Sequence, residues 1–457
     1  MQHVQVRDDG VMSLLRWHYA ALFVFIGSAF CGRCEAQLGP ILSATGAVNR
    51  SMGGTGTAVA VSPAGPLLWN PAALAGLESS QLEFGAELLV PQTHLASSIP
   101  ANSFGPGVPG VDLSGSTGNQ DAVFALPTIA LAYKSEDVGL TYGLGVFAVA
   151  GYGLDYPGSL TNPVLSPPPP TGLGFGPIYS NYQALQIAPS LVYEMTENFS
   201  MSFSPLLDLG MVQLDPAVFA APDDANGDGF ATYPSGTHSR TSWGAGFSIG
   251  AYYELNDWSF GACYKSPQWF QTYEFNTVNE LGIPGVANFH LDLPAIISWG
   301  VAYHGFEDWL LAADFRYLDF ARANGMGDRG FNPDGSLRGV GLNRIFALSL
   351  ATQYQLTNSL STRLGYSWSQ NPVTAVQASA NVASPLVVQH MLSAGATYAI
   401  TPAFSLTLAY THAFENSISG PLTLPVGPVP GTVISSSAAA DMLTLGAVVE
   451  FGPRHLR

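Results

Sequence analysis

The sequence predicts an all-β fold, a 14-stranded antiparallel transmembrane β-barrel. Three observations support this prediction: few charges, an export signal without a membrane-spanning helix, and apolar residues that alternate along segments of about ten residues. Of the 457 residues, 47% are hydrophobic and 10% are charged, whereas about 25% of a typical soluble domain is charged. Besides the helix, only a closed barrel satisfies every backbone hydrogen bond within lipid.

Residues 1–36 have the pattern of a secretory signal peptide. Arg16 precedes a short apolar core, and small residues at the end of this segment predict cleavage near Ala36. Met12 is an alternative start of translation. Cleavage would remove two of the three cysteines and leave Cys263 alone, so we expect no disulfide framework.

The charge balance and the glycine content exclude some functions. A formal net charge of −17 argues against nucleic acid as a partner, because phosphate recognition needs a basic surface. It also offers no basic patch for anionic lipid head groups. The glycine cluster from Gly53 to Gly56 does not indicate a nucleotide loop, because no hydrophobic strand precedes it and no helical pattern follows it.

Short polar breaks recur along the chain, and a tyrosine stands just before each of six of them. Aromatic rings with a polar edge favour the membrane–water interface. Tyrosines at equivalent places therefore predict one girdle at the short-turn end of a barrel. The alternative is that they are ordinary strand-end tyrosines of a soluble β-protein. The tyrosines are Tyr133, Tyr193, Tyr253, Tyr303, Tyr354 and Tyr398.

Two segments, 242–253 and 258–265, show strict alternation of bulky apolar residues with small or polar ones. Successive side chains of a strand point to opposite faces, so the bulky set would face lipid and the small set would face the lumen. This arrangement is the inverse of a soluble protein. The predicted outward set is Trp243, Ala245, Phe247, Ile249, Ala251, Tyr253, Trp258, Phe260, Ala262 and Tyr264.

Counting from the turns, we expect a barrel over residues 79–451 and a short C-terminal tail over 452–457. Residues 37–78 lack the alternation and form a separate N-terminal unit in this prediction. An even number of strands places both barrel ends on the periplasmic side. The predicted strands are 81–91, 123–133, 138–151, 182–194, 198–213, 240–254, 258–275, 288–303, 309–321, 342–355, 359–371, 388–399, 403–418 and 437–451.

Several motifs, taken in their order and spacing, resemble the FadL/TodX family of outer-membrane transporters for long-chain fatty acids and other hydrophobic compounds. The first is Asn70-Pro71-Ala72 before strand one. The others are ALPTIALAY, GLGVFAVAGYGLDY in strand three, GAYYELNDWSFGACYKS, LDLP, SQNPV and HMLSAGATYAI. The resemblance covers nearly the whole mature chain.

The resemblance implies that residues 37–78 form a hatch that plugs the lumen. It also implies that the third strand kinks inward beside Asn-Pro-Ala, so that substrate leaves sideways into the bilayer. Asn70, Pro71 and Ala72 would form the hatch corner, and the kink would lie near Gly143 and Gly145. A plain linker is the alternative for 37–78. The acidic pair usual upstream of Asn-Pro-Ala is absent, and GPRHLR follows Phe451.

A fatty-acid carboxylate in an apolar lumen would need a cation. By strand parity, the inward basic residues are Lys265, Arg316 and Arg363. Inward acids could instead occupy these cations, as Asp314 could for Arg316. The other inward acids are Glu83, Glu87 and Asp208.

Capture of an apolar substrate at the extracellular surface would use apolar loop residues. The candidates are Val218, Phe219 and Phe175, which could equally pack against their own loops. We expect no cofactor, no resident metal and no catalytic residue. Asp224, Asn226 and Asp228 have calcium-loop spacing, but a serine replaces the bidentate acid. Ser248 matches a lipase motif by letters but lies within a strand.

We therefore predict passive outer-membrane transport of hydrophobic molecules, with long-chain fatty acids as the first candidates. The alternatives are uptake of aromatic or alkane hydrocarbons by the same route, or a structural or porin-type barrel. The expected partners are the hydrophobic ligand, outer-membrane lipid and the outer-membrane assembly machinery. We expect a monomer without nucleic acid, and no enzymatic activity.

Overall fold

The computed structural model describes residues 38–120, 123–135, 139–236 and 240–452. Within them, fourteen long antiparallel strands pair with their neighbours along the chain, and the last pairs with the first to close a barrel. The predicted fold class and strand number are confirmed. The strands are β1 Ser80–Ile99, β2 Phe124–Lys134, β3 Leu140–Tyr156, β4 Ile178–Thr196, β5 Phe199–Asp215, β6 Arg240–Leu255, β7 Trp258–Lys265, β8 Ile296–Phe306, β9 Trp309–Leu318, β10 Ile345–Thr357, β11 Leu360–Ser369, β12 His390–Thr401, β13 Phe404–Gly420 and β14 Val433–Phe451.

Shorter elements lie before the barrel and in its longer loops. None of the helices among the described residues is long and apolar enough to cross a membrane. The helices are α1 Ala47–Ser51 and α2 Ala64–Trp69, with 3-10 turns at Pro71–Gly76, Pro163–Leu165, Phe320–Arg322, Ala375–Gln377 and Ser379–Asn381. The short strands are Leu113–Gly118, Ser235–Gly236, Trp269–Phe270, Tyr273–Val278, Pro284–Phe289, Thr423–Leu424 and Gly427–Pro428.

The alternation predicted from the sequence sets the two faces of the wall. In β7, Trp258 and Phe260 are 45% and 41% exposed, whereas Ser259 and Lys265 are 4% and 6% exposed. The six tyrosines before the short turns all lie at one end of the barrel, at or near the ends of β2, β4, β6, β8, β10 and β12. The exterior is therefore an apolar band with aromatic residues at one rim, as a lipid-facing surface requires.

The predicted boundaries of strands one, seven and eight are wrong at the loop end. β1 continues to Ile99, well past the predicted end at residue 91. β7 stops at Lys265 and β8 begins at Ile296, because the intervening residues form a separate three-stranded sheet with the loop after β5. Alternation continues into this loop sheet, so the period alone does not mark where the wall ends.

Residues 38–78 are almost entirely buried and lie against the inward faces of the strands. Helix α1 contacts β11 to β14 and β1, whereas α2 contacts β2 and β3. The 3-10 turn Pro71–Gly76 contacts β3 to β6. One short segment thus touches the wall on opposite sides and obstructs the lumen; we call residues 38–78 the hatch. The predicted signal peptide lies outside the described residues, as does the tail beyond residue 452.

Candidate functional site

The corner of the hatch is clamped between its own loop and the barrel wall. The Asn70 side-chain Nδ2 donates to the carbonyl of Thr57 at 2.7 Å and to that of Ala251 in β6 at 2.9 Å. Its Oδ1 accepts from the backbone N–H of Ala72 at 3.3 Å and so caps the 3-10 turn that Pro71 begins. Proline suits this first position because its φ is already set and no donor is lost.

The hydrogen-bond ladder between β2 and β3 ends before either strand ends. Pairing runs from Lys134 opposite Thr141 to Thr128 opposite Phe147 and stops there. β2 nevertheless stays paired with β1 as far as Phe124. The next β2 residue beyond the break is Pro127, which has no N–H to donate and is therefore tolerated only at a strand edge. One side of β3 beyond Phe147 is thus released from the wall.

Beyond the end of the β2–β3 ladder, the hatch backbone hydrogen-bonds to β3 in place of β2. The N–H of Leu42 donates to Val149 O at 2.9 Å, and the N–H of Gly151 donates to Pro40 O at 2.8 Å. On its other side, β3 stays paired with β4 but shifts register between Ala148 and Ala150, the sign of a β-bulge. A bulge bends its strand. The wall therefore has a local interruption that the start of the hatch covers from inside.

The two glycines of the predicted kink lie within the paired part of β3, before the interruption. A Cβ on Gly143 would come within 2.9 Å of the ends of Leu67 and Leu74, so the hatch packs directly on this glycine. A Cβ on Gly145 would collide with the ring of Phe147. Both glycines thus permit close packing, and the ladder ends beyond them. Pro127 was the signal in the sequence that marked the end of the ladder.

Arg316 is tied to the hatch. It donates to Asp314 Oδ2 at 2.6 Å, to Gly54 O at 2.7 Å and to Ser349 Oγ at 3.1 Å, and its guanidinium lies 3.8 Å from the centre of the Trp69 ring. The same Asp314 oxygen accepts from the N–H groups of Gly56 and Thr57 and from the Thr57 hydroxyl. These contacts engage both terminal nitrogens of Arg316, whereas its Nε has no partner among the described residues. Asp314 thus pairs with this cation, as the alternative of internal pairing predicts.

Arg363 and the buried acids of β1 are also engaged. Arg363 donates to Gln353 Oε1 at 2.7 Å and to Thr397 Oγ1 at 2.6 Å. Glu87 accepts two hydrogen bonds of 2.7 Å from Arg50 of α1. Glu83 accepts from the N–H of Ala64 at the start of α2. The hatch is therefore anchored to β1 through charge-assisted hydrogen bonds.

Lys265 lies in a different, sparsely bonded cluster. Its Nζ donates to Gln186 Oε1 at 3.2 Å, and Gln186 donates to Asp208 Oδ1 at 2.7 Å. Three nearby buried atoms have no hydrogen-bond partner among the described residues: Asp208 Oδ2 and the hydroxyls of Tyr182 and Tyr273. Lys265 differs from Arg316 and Arg363 in that its head group makes a single hydrogen bond, to Gln186, among the described residues.

The predicted capture residues mostly pack against other loop residues. The ring of Phe219 stacks on Phe289 at 4.5 Å, and Phe175 lies 6.2 Å from the ring of Tyr233. Val218 is partly buried against the main core. Phe289 in turn stacks on Tyr273 at 5.5 Å. Phe219 is therefore the outer end of an aromatic column that leads inward.

A cavity of about 990 Å³ lies among the extracellular loops, and Phe219 and Phe289 are part of its lining. Two further lining residues, Ile283 and Val286, are 55% and 57% exposed. They belong to the turn and second strand of the loop hairpin, a segment that the sequence had assigned partly to strand eight. An apolar molecule in this cavity would contact the aromatic column directly.

The calcium-like spacing in the loop after β5 is explained by turn hydrogen bonds. The N–H of Gly229 donates to Asp224 Oδ2, and that of Phe230 donates to Asp228 Oδ1. The described part of the chain holds no group of three metal-binding side chains close enough to bind an ion. Ser248 lies in the middle of β6, opposite Ser204 and Lys265, far from any strand-to-helix elbow.

A closed 14-stranded barrel with an apolar exterior and an obstructed lumen is the architecture of a protein that spans the outer membrane. Residues 35–420 match the family model described as outer membrane protein transport protein (OMPP1/FadL/TodX). The match spans most of the chain, and this protein belongs to that family of outer-membrane transporters of hydrophobic compounds.

Solved structures share the fold at low sequence identity. A FadL homologue of Pseudomonas aeruginosa is 16% identical with a TM-score of 0.68, over 91% of this chain and 100% of that one. The P. putida toluene transporter TodX is 17% identical with a TM-score of 0.63, over 90% and 100%. The Ralstonia pickettii toluene transporter TbuX is 18% identical with a TM-score of 0.59, over 90% and 99%. No curated protein sequence matches the chain.

Proposed function

We propose that this protein takes up hydrophobic molecules passively, with long-chain fatty acids as the principal cargo. Cargo enters the extracellular cavity, moves inward along the aromatic column and leaves sideways through the interruption between β2 and β3. The observation that carries the proposal is that the hatch backbone, and not β2, hydrogen-bonds to β3 at Val149 and Gly151. Movement of a hatch segment would open the wall there without exposing the cargo to water.

The chemistry of the lumen supports an amphipathic cargo. Lys265 is buried and has a single hydrogen-bond acceptor among the described residues. A buried cation with unused donors suits a carboxylate, because charge-assisted hydrogen bonds are stronger than neutral ones. Aromatic or alkane hydrocarbons are the alternative cargo for the same route. Two similar structures are toluene transporters, and the aromatic column offers apolar contact without requiring a head group.

A disulfide lock tests the exit route. Ile41 of the hatch and Ala150 of β3 are antiparallel bridge partners, and such partners lie close enough for a disulfide. In a Cys263→Ser background, we expect Ile41→Cys/Ala150→Cys to abolish uptake of labelled oleate into proteoliposomes when oxidised. Reduction should restore the uptake.

The matched control is Leu408→Cys/Leu445→Cys, which joins facing residues of β13 and β14 in an uninterrupted part of the wall. Its uptake should be the same in the oxidised and reduced states. Equal uptake by the oxidised and reduced hatch lock would contradict exit beside β3. A large steady single-channel current through the wild type would instead favour a porin, because an obstructed barrel should pass little current.

A further inference from the structure

The interruption between β2 and β3 is bounded at both ends, and we call the space between these ends the window. On the periplasmic side, the ladder ends where Thr128 faces Phe147. On the extracellular side, the N–H of Gln120 donates to Asp155 O at 2.8 Å, so the chain before β2 joins β3 again. Among the described residues, no ladder pair joins β2 to β3 between these two points. Cargo that leaves here must pass the groups that face the window.

The hatch covers the periplasmic part of the window. Among the residues that the structure describes, its backbone bonds to β3 at Val149 and Gly151 and nowhere further along the strand. Ile41 and Ala150 are the bridge partners at the centre of this contact. Folded proteins leave few voids, so a side chain is expected to fill the remaining part, between Gly151 and Asp155.

That side chain is Phe124, at the extracellular end of β2. A Cβ on Gly153 of β3 would collide with Cζ of Phe124 and lie 2.9 Å from its Cε1, so the tip of the ring rests on this glycine. A residue without a side chain is what permits so close an approach. The ring thus spans the space between the two strands and closes the part of the window that the hatch leaves.

The same contact shows that β3 lies behind β2. Phe124 has the inward parity of the buried Ala130. Tyr152 and Leu154 pack into the interior clusters, so Gly153 between them faces outward, because successive side chains of a strand alternate. An inward ring of β2 meets an outward face of β3 only where β3 bends toward the lumen, as its bulge permits. The two strands overlap at the window, with the ring held between them.

We infer that Phe124 determines the width of the cargo that leaves through the window. The inference rests on the proposed function and goes further, because it separates two roles at the exit. Release of the hatch at Ile41 opens the window, and the ring of Phe124 limits how wide it is. A single alkyl chain passes beside the ring. A chain that carries a bulky group requires the ring to leave Gly153.

The test compares the uptake of two labelled cargoes into proteoliposomes: oleate, and an oleate analogue that carries an anthroyloxy group near the middle of its chain. The wild type should take up oleate faster. In Phe124→Ala, the preference for oleate should fall about tenfold, the scale on which apolar sites separate ligands by shape, whereas the rate for oleate stays close to that of the wild type. Phe124→Trp should increase the preference, because the larger ring fills more of the window.

Leu89→Ala is the matched control. Leu89 of β1 faces Phe124, so this variant removes apolar volume at the same level of the wall but on the side where the ladder is continuous. Its preference should equal that of the wild type. An unchanged preference in Phe124→Ala, or an equal fall in Leu89→Ala, would overturn the role of Phe124. If Phe124→Ala does not insert into lipid, an unchanged preference in Phe124→Trp would overturn it in the same way.

A combined variant separates this inference from the proposed route. Phe124→Ala is placed in the Cys263→Ser background together with Ile41→Cys/Ala150→Cys, and the lock is oxidised. Neither cargo should then be taken up, because the hatch can no longer leave β3. Continued uptake of both cargoes under the lock would overturn exit at this window, and with it the proposed function. Blocked uptake under the lock with an unchanged preference in Phe124→Ala would overturn the role of Phe124 alone.

Discussion

Two of the acid–base clusters inside this barrel, one on β9 and one around Lys265, differ in their relation to the hatch. Asp314 and Arg316 of β9 bind backbone groups of Gly54, Gly56 and Thr57. Among the described residues, Asp208 and Lys265 make no hydrogen bond to the hatch and are joined to each other through Gln186. Each cluster keeps an unpartnered carboxylate oxygen. The β9 cluster is therefore bonded to the plug, and we propose that the cluster of Asp208, Gln186 and Lys265 is the one that meets a ligand.

The largest effect should come from breaking the β9 cluster. Asp314→Ala leaves the buried Arg316 without its charge partner and leaves hatch N–H groups without an acceptor. We expect a loss of about 3–5 kcal/mol in the free energy of unfolding, measured by urea titration in lipid vesicles. Arg322→Ala is the control. Arg322 pairs with Asp319, but the Arg322 side chain is 80% exposed, and exposed ion pairs contribute little to stability. Similar losses in both variants would contradict a hatch anchor at β9.

A smaller effect is expected from crowding the same cluster. Gly300 of β8 faces Asp314, and a Cβ there would lie 2.7 Å from Thr57 Cβ and 2.9 Å from the N–H nitrogen of Ala58. The hatch would have to shift, so Gly300→Ala should cost about 1–3 kcal/mol and increase single-channel current. A variant with wild-type stability and current would show that the hatch is not tightly seated here.

The smallest effect on stability should come from the cluster of Asp208 and Lys265. In Asp208→Asn/Lys265→Met, both charges are removed together, and replacing a buried pair by neutral groups is often close to neutral. We expect a change within about 1 kcal/mol together with weaker binding of decanoic acid. A loss of unfolding free energy as large as that of Asp314→Ala would show that this cluster has a structural role like that of the β9 cluster.

The wall could be predicted from sequence in most of its length. In β7, Trp258 and Phe260 face out and Lys265 faces in, as their alternation indicates. The loop ends were less predictable, because residues 273–278 also alternate with a period of two although they belong to a separate small sheet. Local pattern specifies which face of a strand is apolar, but it does not specify whether the strand still belongs to the barrel.

The candidate site was predictable only in part. Lys265, Arg316 and Arg363 are all buried and inward, as parity predicts. Which of them retains hydrogen-bonding capacity depends on the hatch, whose Gly56 binds Asp314 across 258 residues of chain. Tyr182 and Tyr273 gave no signal in the sequence, because a tyrosine whose hydroxyl is bonded looks the same as one whose hydroxyl is not.

The sequence by itself determined the number of strands and the lipid-facing exterior, because the two-residue alternation and the short turns are local patterns. It also contains the family motifs. The tertiary structure alone decided which backbone pairs with β3 beyond the end of that ladder and which charged clusters hold the hatch. Those outcomes depend on contacts between groups far apart along the chain, and no local pattern encodes such distances.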